Sequence, residues 1–372
     1  MKTIAIVISA RASYSRIRSA LIHLSHASGV NLRIVIVASG SSNRFGNLED
    51  FIKRDGLEIA WKIDSQLDTS HKASMAKTVG LTLLGLTDYL MNLQIDGVVV
   101  IADRHETIAA SISGSFLGIK TFHIQGGERT GNIDDKVRYA NSHLSDYHFV
   151  SNQKALERLI DCGIDPTKIF VTGCPSLDSV PVNKFDFEKI PSFTGIGLSS
   201  KEVFIGEYLV VIQHPETTSN LKSASQISPT IDAIDAVGIP ALWIWPNSDL
   251  GGDEIVGEIR KAREHGQLKG VHFERSVEPE IFLRILDGAA CVIGNSSVAL
   301  RECSLIGTPA VNIGGRQRDR DHGSNVLSVQ YDSDEIREAI KKQMSHGRFA
   351  PEFIYGSGES GKLISRLIQE IA

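Results

Sequence analysis

Short apolar runs recur along the first half of the chain and alternate with longer stretches of helical period. Ile4 to Ile8, Leu32 to Val37, Leu57 to Trp61, Val98 to Ile101, Lys120 to Ile124, His148 to Val150 and Ile169 to Val171 read as strands. Between them, stretches such as Ser13 to His26, Ala73 to Asn92 and Asn152 to Cys162 read as helices. Strand–helix alternation with short connections implies a parallel sheet covered on both faces. The regularity breaks from Val180 to Gly206, where Pro181, Pro191, Gly195 and Gly197 mark a linker. It resumes with Tyr208 to Ile212, Pro240 to Trp245, Val271 to Phe273, Ala289 to Ile293 and Pro309 to Ile313. The expected fold is α/β, with two Rossmann-like doubly wound domains facing each other across a cleft. The expected boundaries are an N-terminal domain at 1–180, a linker at 181–206 and a C-terminal domain at 207–355. A last helix, Lys362 to Ile371 within 356–372, is expected to pack back on the first domain.

Length agrees with this division, because 372 residues exceed one ordinary core. The net charge of -5, from 39 basic and 44 acidic residues, offers no basic footprint for nucleic acid. Cys162, Cys174, Cys291 and Cys303 are widely spaced with no CxxC pair, which favours a reducing cytoplasm over a disulfide framework. Thr3 to Ser9 is apolar, but Arg11 follows and no cleavage site does, so no targeting segment is expected. No run approaches the roughly 20 apolar residues of a membrane span.

In an open parallel sheet, ligands bind beyond the carboxyl ends of the strands. Val98 to Ile101 delivers Asp103, followed by Arg104, His105 and Glu106, and Lys120 to Ile124 delivers Gln125. Glu128, Asp134 and Asp135 follow around the turn Gln125-Gly126-Gly127-Glu128, a grouping suited to acid/base chemistry on a small polar substrate. The first strand leads into Ser9-Ala10-Arg11 rather than GxGxxG, so a dinucleotide fingerprint is missing, and there is no P-loop. Arg11 suits either bidentate anion binding or a helix-entry pair with a nearby carboxylate.

The second half supplies phosphate-binding candidates. Gly294-Asn295-Ser296-Ser297 leads into an expected helix, Val298 to Ile306, whose free N–H groups and hydroxyls fit an anion, although an ordinary serine N-cap would look the same. Gly314-Gly315-Arg316 opens a loop with Arg318 and Arg320, and arginines beside glycines suit a diphosphate. His214 and the segment Asn247-Ser248-Asp249 stand at two further strand ends. No HxxxH or HxH spacing points to a metal site.

These residues resemble the hydrolysing UDP-N-acetylglucosamine 2-epimerases, bacterial enzymes that feed the synthesis of sialic, legionaminic and related nonulosonic acids. The carrying segments are Arg11-Ala12-Ser13-Tyr14, Asp103-Arg104-His105-Glu106, the block from Gly126 through Thr130-Gly131 to Ile133-Asp134-Asp135, and Gly173-Cys174-Pro175-Ser176. His214-Pro215, Pro246-Asn247-Ser248-Asp249, Asn295-Ser296-Ser297, Arg301-Glu302 and Gly323-Ser324-Asn325-Val326 extend it across nearly the whole chain. The resemblance implies the glycosyltransferase B architecture, no cofactor, no metal and a homodimer. The implied reaction removes the C2 proton, eliminates UDP across C1–C2, and hydrates the glycal to free N-acetylmannosamine. Asp103 and Asp134 are then the implied acid/base residues, with His214 and Arg11 stabilising the leaving group. Ser296, Ser297 and Glu302 are the implied diphosphate and ribose contacts, Arg316 joins them by loop position, and Asn247, Asp249 and Asn295 complete the substrate-binding set.

The chain departs from the family at several positions. Gln125 stands where many members carry a catalytic glutamate, and an amide can place water or substrate but cannot shuttle a proton. Glu128 is one candidate for the missing role; Asp103 and Asp134 serving both steps is the other. Ser39 to Gly46 differs where the family has a substrate-closing loop. These changes bear on substrate identity, which stays open between UDP-N-acetylglucosamine, a 4-acetamido-4,6-dideoxy analogue and a GDP-linked equivalent. A non-hydrolysing epimerase, a glycosyltransferase of the same architecture and a non-catalytic sugar-nucleotide sensor are the alternatives.

Overall fold

The computed structural model describes residues 1–42, 47–67, 72–180, 205–246, 250–275, 277 and 279–372. Asn247, Asp249, residues 43–46 of the altered loop and residues 181–204 of the expected linker lie outside the described residues. Two compact units are present. Met1–Glu128, Ile133–Ser179 and Tyr355–Ala372 form the first, and Arg129–Asn132 with Val180–Ile354 the second.

The first unit runs β1 (Lys2–Ile8), α1 (Arg11–Ser25), β2 (Val30–Val37), α2 (Leu48–Arg54), β3 (Ile59–Ile63), α3 (Lys72–Met91), β4 (Gly97–Ile101) and α4 (Thr107–Phe116). It continues with β5 (Lys120–Ile124), α5 (Ile133–Leu144), β6 (Tyr147–Val150), α6 (Gln153–Asp161) and β7 (Ile169–Val171). The strands form one parallel sheet in the order β3-β2-β1-β4-β5-β6-β7. Ile4, Ile6 and Ile8 of β1 enter one core with Tyr14, Ile17 and Leu21, while Ala5 and Val7 enter the opposite core with Leu86 and Leu90. Burial on both faces is why these strands read as unbroken apolar runs rather than alternating ones.

The third strand begins two residues later than the apolar run suggests, because Leu57 belongs to the end of α2. Gly56, at φ +72°, lets its own N–H reach Lys53 O (3.0 Å) and the Leu57 N–H reach Ile52 O (3.1 Å). That is a Schellman ending, with Leu57 as its apolar anchor in the core.

The second unit runs β8 (Leu209–Ile212), α7 (Ser223–Val237), β9 (Ala241–Ile244), α8 (Gly252–Glu264), β10 (Val271–Glu274), α9 (Pro279–Gly288) and β11 (Cys291–Gly294). It continues with α10 (Glu302–Ile306), β12 (Ala310–Ile313), β13 (Val326–Val329) and α11 (Ser333–His346). Its parallel sheet has the order β10-β9-β8-β11-β12-β13. The expected helix from Val298 to Ile306 is broken. A 3₁₀ turn, Ser297–Ala299, precedes α10, which has five residues. The i→i+3 bonds from Ala299 N to Ser296 O (3.2 Å) and Leu300 N to Ser297 O (3.1 Å) close the turn locally.

The final helix, α12 (Ser360–Ile371), belongs to the first unit. Ile364 and Ile368, one turn apart, sit in the core beneath β1. Asp178 receives the first N–H groups of α12, from Ser360 (2.9 Å) and Gly361 (2.6 Å), and also the Ser19 hydroxyl (2.7 Å). Gly361 is required here: a Cβ would lie 2.5 Å from Ala20 N on α1.

Each sheet has one place where the strand order reverses: between β1 and β4 in the first, and between β8 and β11 in the second. At such a switch point the two flanking crossovers leave on opposite faces, opening a crevice beyond the strand ends. No helix among the described residues is long and apolar enough to cross a membrane.

Candidate active site

In the first unit, the switch point places Arg11, after β1, and Asp103, after β4, on neighbouring strand ends. Ala102 takes φ +56°, an uncommon conformation for an alanine, so the chain turns sharply at the end of β4. Its N–H continues the ladder to Ile124 O (2.9 Å), and its carbonyl accepts from His123 Nε2 (3.0 Å) and Asn141 Nδ2 (3.3 Å). The turn that presents Asp103 is thus held from two directions.

Asp103 is 6% exposed and pairs with Arg138 on α5, while Arg16 Nη1 stands 3.4 Å from its other oxygen. Arg138 is fully buried. Its Nη1 donates to Asp135 Oδ1 (2.6 Å) and to the Glu128 carbonyl (2.9 Å). Burial opposes the Arg138 charge, but the carboxylates of Asp103, Glu128, Asp135 and Asp134 outweigh it and raise the pKa above the ordinary arginine value. Arg138 is a member of this cluster not singled out from the sequence; its signal was its spacing, three residues beyond Asp135 and four beyond Asp134, on one face of a helix.

The other members of the cluster have separate surroundings. Glu128, 2% exposed, accepts from the Ser151 hydroxyl at 2.6 Å. Glu106 is fully buried and takes Arg104 through Nε (3.2 Å) and Nη2 (3.0 Å). Gln125 takes φ +66°, and its Nε2 donates to Cys174 Sγ (3.0 Å), while its Oε1 has no hydrogen-bond partner among the described residues. His123 is a structural group, since Ser142 Oγ lies 3.0 Å from its Nδ1 and Nε2 meets the Ala102 carbonyl. Burial lowers its pKa to about 4 and the charge of Arg138 acts the same way, so the ring is neutral. The Arg11 guanidinium lies over the Phe51 ring, 4.8 Å from its centroid.

In the second unit, the ends of the adjacent strands β8, β11 and β12 bring together His214, Asn295-Ser296-Ser297 and Arg316. Gly294 is needed where β11 meets β8, since a Cβ would lie 2.1 Å from Ile212 O. Asn295, expected from sequence among the ligand contacts, has a buried side-chain amide that bonds to backbone. Oδ1 accepts from His214 N and Nδ2 donates to His214 O, both at 2.8 Å. Asn295 therefore holds the strand end that carries His214. Its carbonyl receives Arg316 Nη1 (3.2 Å) and Gln317 Nε2 (3.3 Å), which brings the Arg316 loop to the same edge. Ser296 Oγ caps the 3₁₀ turn through Val298 N at 3.5 Å, so no helix macrodipole of any length stands behind Ser296 and Ser297. Glu302 is 9% exposed, and its Oε2 has no hydrogen-bond partner among the described residues.

No group of three or more His, Cys, Asp or Glu side chains placed to hold a metal occurs among the described residues. The first unit thus carries a buried carboxylate–guanidinium cluster at its switch point, and the second carries a histidine, serines and an arginine at its own.

Comparison with known proteins agrees. A relative from Legionella pneumophila, a UDP-N,N'-diacetylbacillosamine 2-epimerase (hydrolyzing), is 30% identical over 380 residues, spanning 100% of this chain and 96% of the relative. A UDP-N-acetylglucosamine 2-epimerase from Neisseria meningitidis serogroup B is 25% identical over 372 residues, spanning 100% of this chain and 95% of its own length. The solved structure of Methanocaldococcus jannaschii UDP-GlcNAc 2-epimerase, in complex with UDP-GlcNAc and UDP, shares the fold with a TM-score of 0.81 at 16% identity, covering 99% of each chain. The family model for UDP-N-acetylglucosamine 2-epimerase matches residues 23–369, and with these strand-end clusters on two parallel α/β sheets the chain belongs to the UDP-N-acetylglucosamine 2-epimerase family.

Proposed function

We propose that this protein is a hydrolysing 2-epimerase of a nucleotide-activated 2-acetamido sugar, releasing a free manno-configured sugar for nonulosonic acid synthesis. The observation that carries the reading is Asp103 at the β1/β4 switch point, paired with a fully buried Arg138 that also holds Asp135. The Legionella relative, which is named a hydrolysing enzyme, supports hydrolysis.

In the proposed reaction, Asp103 or Asp134 accepts the C2 proton while the C1–O bond breaks. The electrons of the C2–H bond form the C1–C2 double bond, and the nucleoside diphosphate leaves with the C1–O electrons. A C2 proton beside an acetal carbon is weakly acidic, so departure of the diphosphate runs ahead of proton removal. That places much of the transition-state stabilisation on His214, Ser296, Ser297, Arg316 and Arg11. The second group, as a carboxylic acid, then protonates C2 from the opposite face while water adds at C1; the water gives up its proton to the carboxylate so formed, and the first carboxylic acid releases its proton to solvent. Gln125, as an amide, positions water or substrate. Glu302, buried with one oxygen unpaired, suits the ribose hydroxyls.

The test is product analysis by NMR in deuterium oxide, with UDP-N-acetylglucosamine, UDP-N,N'-diacetylbacillosamine and a GDP-linked analogue as substrates. Free manno-configured sugar carrying deuterium at C2, in a one-to-one ratio with nucleoside diphosphate, is expected for at least one of them. Unlabelled product rejects proton abstraction at C2. A nucleotide-bound epimer without free sugar selects the non-hydrolysing reading.

A further inference from the structure

From sequence, Gly314 and Gly315 open a loop whose arginines beside glycines suit a diphosphate. In the structure both are occupied by protein. Gly314, at φ +72°, packs on Tyr331, and a Cβ there would lie 2.3 Å from the phenol. The Gly315 N–H donates to Glu216 Oε2 at 2.9 Å, and a Cβ at this residue would lie 2.8 Å from Glu216 Oε1. The Tyr331 hydroxyl donates to the same Oε2 at 2.7 Å. Glu216 follows His214 by two residues and is itself anchored. Its N–H donates to Gln226 Oε1 (2.9 Å) and its carbonyl accepts from Gln226 Nε2 (3.2 Å). Burial, and then Glu216, push the Tyr331 hydroxyl pKa up, while the Asn295 amide and Arg316 oppose that rise. The phenol thus stands where the β8, β11 and β12 loops converge.

We propose that Glu216, together with Tyr331, is a positioning residue that ties the His214 loop to the Gly314-Gly315-Arg316 loop and so pre-forms the diphosphate contacts. The inference rests on the reading of the second unit as the side that takes the nucleoside diphosphate. A carboxylate beside a diphosphate is unfavourable by charge, so its value has to be geometric. Two donors on one oxygen hold the loops at fixed spacing, and Arg316 and His214 need not be ordered when the ligand arrives. The glycine pair serves the tie: a Cβ at Gly314 would push on the Tyr331 phenol, and one at Gly315 would displace the Glu216 carboxylate from the backbone N–H it accepts from.

The test is titration calorimetry of the full chain with UDP and with uridine, and with GDP and guanosine, on the unaltered protein and on E216A, E216Q and Y331F. E216A is expected to weaken the diphosphate by about tenfold or more, the scale of a lost hydrogen bond to a charged group. Y331F is expected to weaken it less. E216Q keeps an acceptor oxygen at the same position and is expected to stay within about threefold. Affinity for the bare nucleoside should be unchanged in all three, which separates a tie at the diphosphate contacts from a general loss of structure. Unaltered diphosphate binding by E216A overturns the proposal, as does E216Q behaving like E216A, or an equal loss for nucleoside and diphosphate. If the unaltered chain binds neither nucleoside diphosphate, the nucleotide reading itself fails and the proposal goes with it.

Discussion

Acidification should destabilise the first unit well above the carboxylate range, through two buried histidines. His123 on β5 and His148 on β6 are register partners, 0% and 1% exposed. Burial is the main cause that lowers their pKa values, to about 4 for His123 and about 3 for His148, where the nearby His123 and His143 act in the same direction. In the unfolded chain both would titrate near the ordinary value of about 6.5. As pH falls through that value, the unfolded state binds protons and the native state does not. Stability is therefore full above about pH 7 and declines down to the folded pKa values. At full slope each histidine costs about 1.4 kcal/mol per pH unit, which integrates to about 2 kcal/mol each, or about 4 kcal/mol together, between pH 7.5 and 5.0. Carboxylates contribute little in this window, because their unfolded values lie near 4. Urea denaturation of the full chain, followed by far-UV circular dichroism at both pH values, is the assay. With a slope of about 2 kcal/mol per M, the midpoint of the first unit should fall by about 2 M. His148→Leu should halve the pH dependence, since it removes one of two similar contributors, and His148 Nδ1 has no hydrogen-bond partner among the described residues to leave behind. A midpoint that does not move from pH 7.5 to 5.0, or an undiminished pH dependence in His148→Leu, would refute the reasoning.

Two substitutions probe the acid cluster. Asp103→Asn should abolish turnover while nucleotide affinity stays within about tenfold, or about 1.4 kcal/mol; near-normal product formation by NMR would remove Asp103 from the chemistry. Arg138→Met leaves the Asp103 and Asp135 carboxylates facing each other without their buried counter-charge, and should cost about 3–5 kcal/mol in denaturant unfolding at neutral pH. A loss below about 1 kcal/mol would show that the cluster relaxes into solvent.

The type and order of the elements were legible because apolar runs and helical periods are local properties of the chain. The unbroken runs of β1 and β4 require burial on both faces, and the alternation with helices requires parallel strands. Asp103, Gln125, His214 and Asn295 were found because strand ends can be located from where those runs stop. Leu57 was misplaced because an apolar residue after a glycine anchors a helix end as readily as it starts a strand. Helix Val298 to Ile306 was misjudged because its pattern could not show that local i→i+3 bonds close the first turn.

What side chains do at those strand ends depends on partners remote in sequence. The Asn295 amide bonds to the His214 backbone, 81 residues away, which no local pattern shows. Arg138 is one polar residue on an amphipathic helix until the sheet places Asp103 beside it, 35 residues earlier. Gly315 looks like a phosphate-loop glycine until Glu216, 99 residues earlier, takes its N–H. The sequence by itself determined which residues stand at the carboxyl ends of two parallel sheets, because hydrophobic periodicity sets where strands begin and end. Only the tertiary structure decided which protein groups hold them, because hydrogen bonds and ion pairs form between strand ends that the fold, not the chain order, makes neighbours.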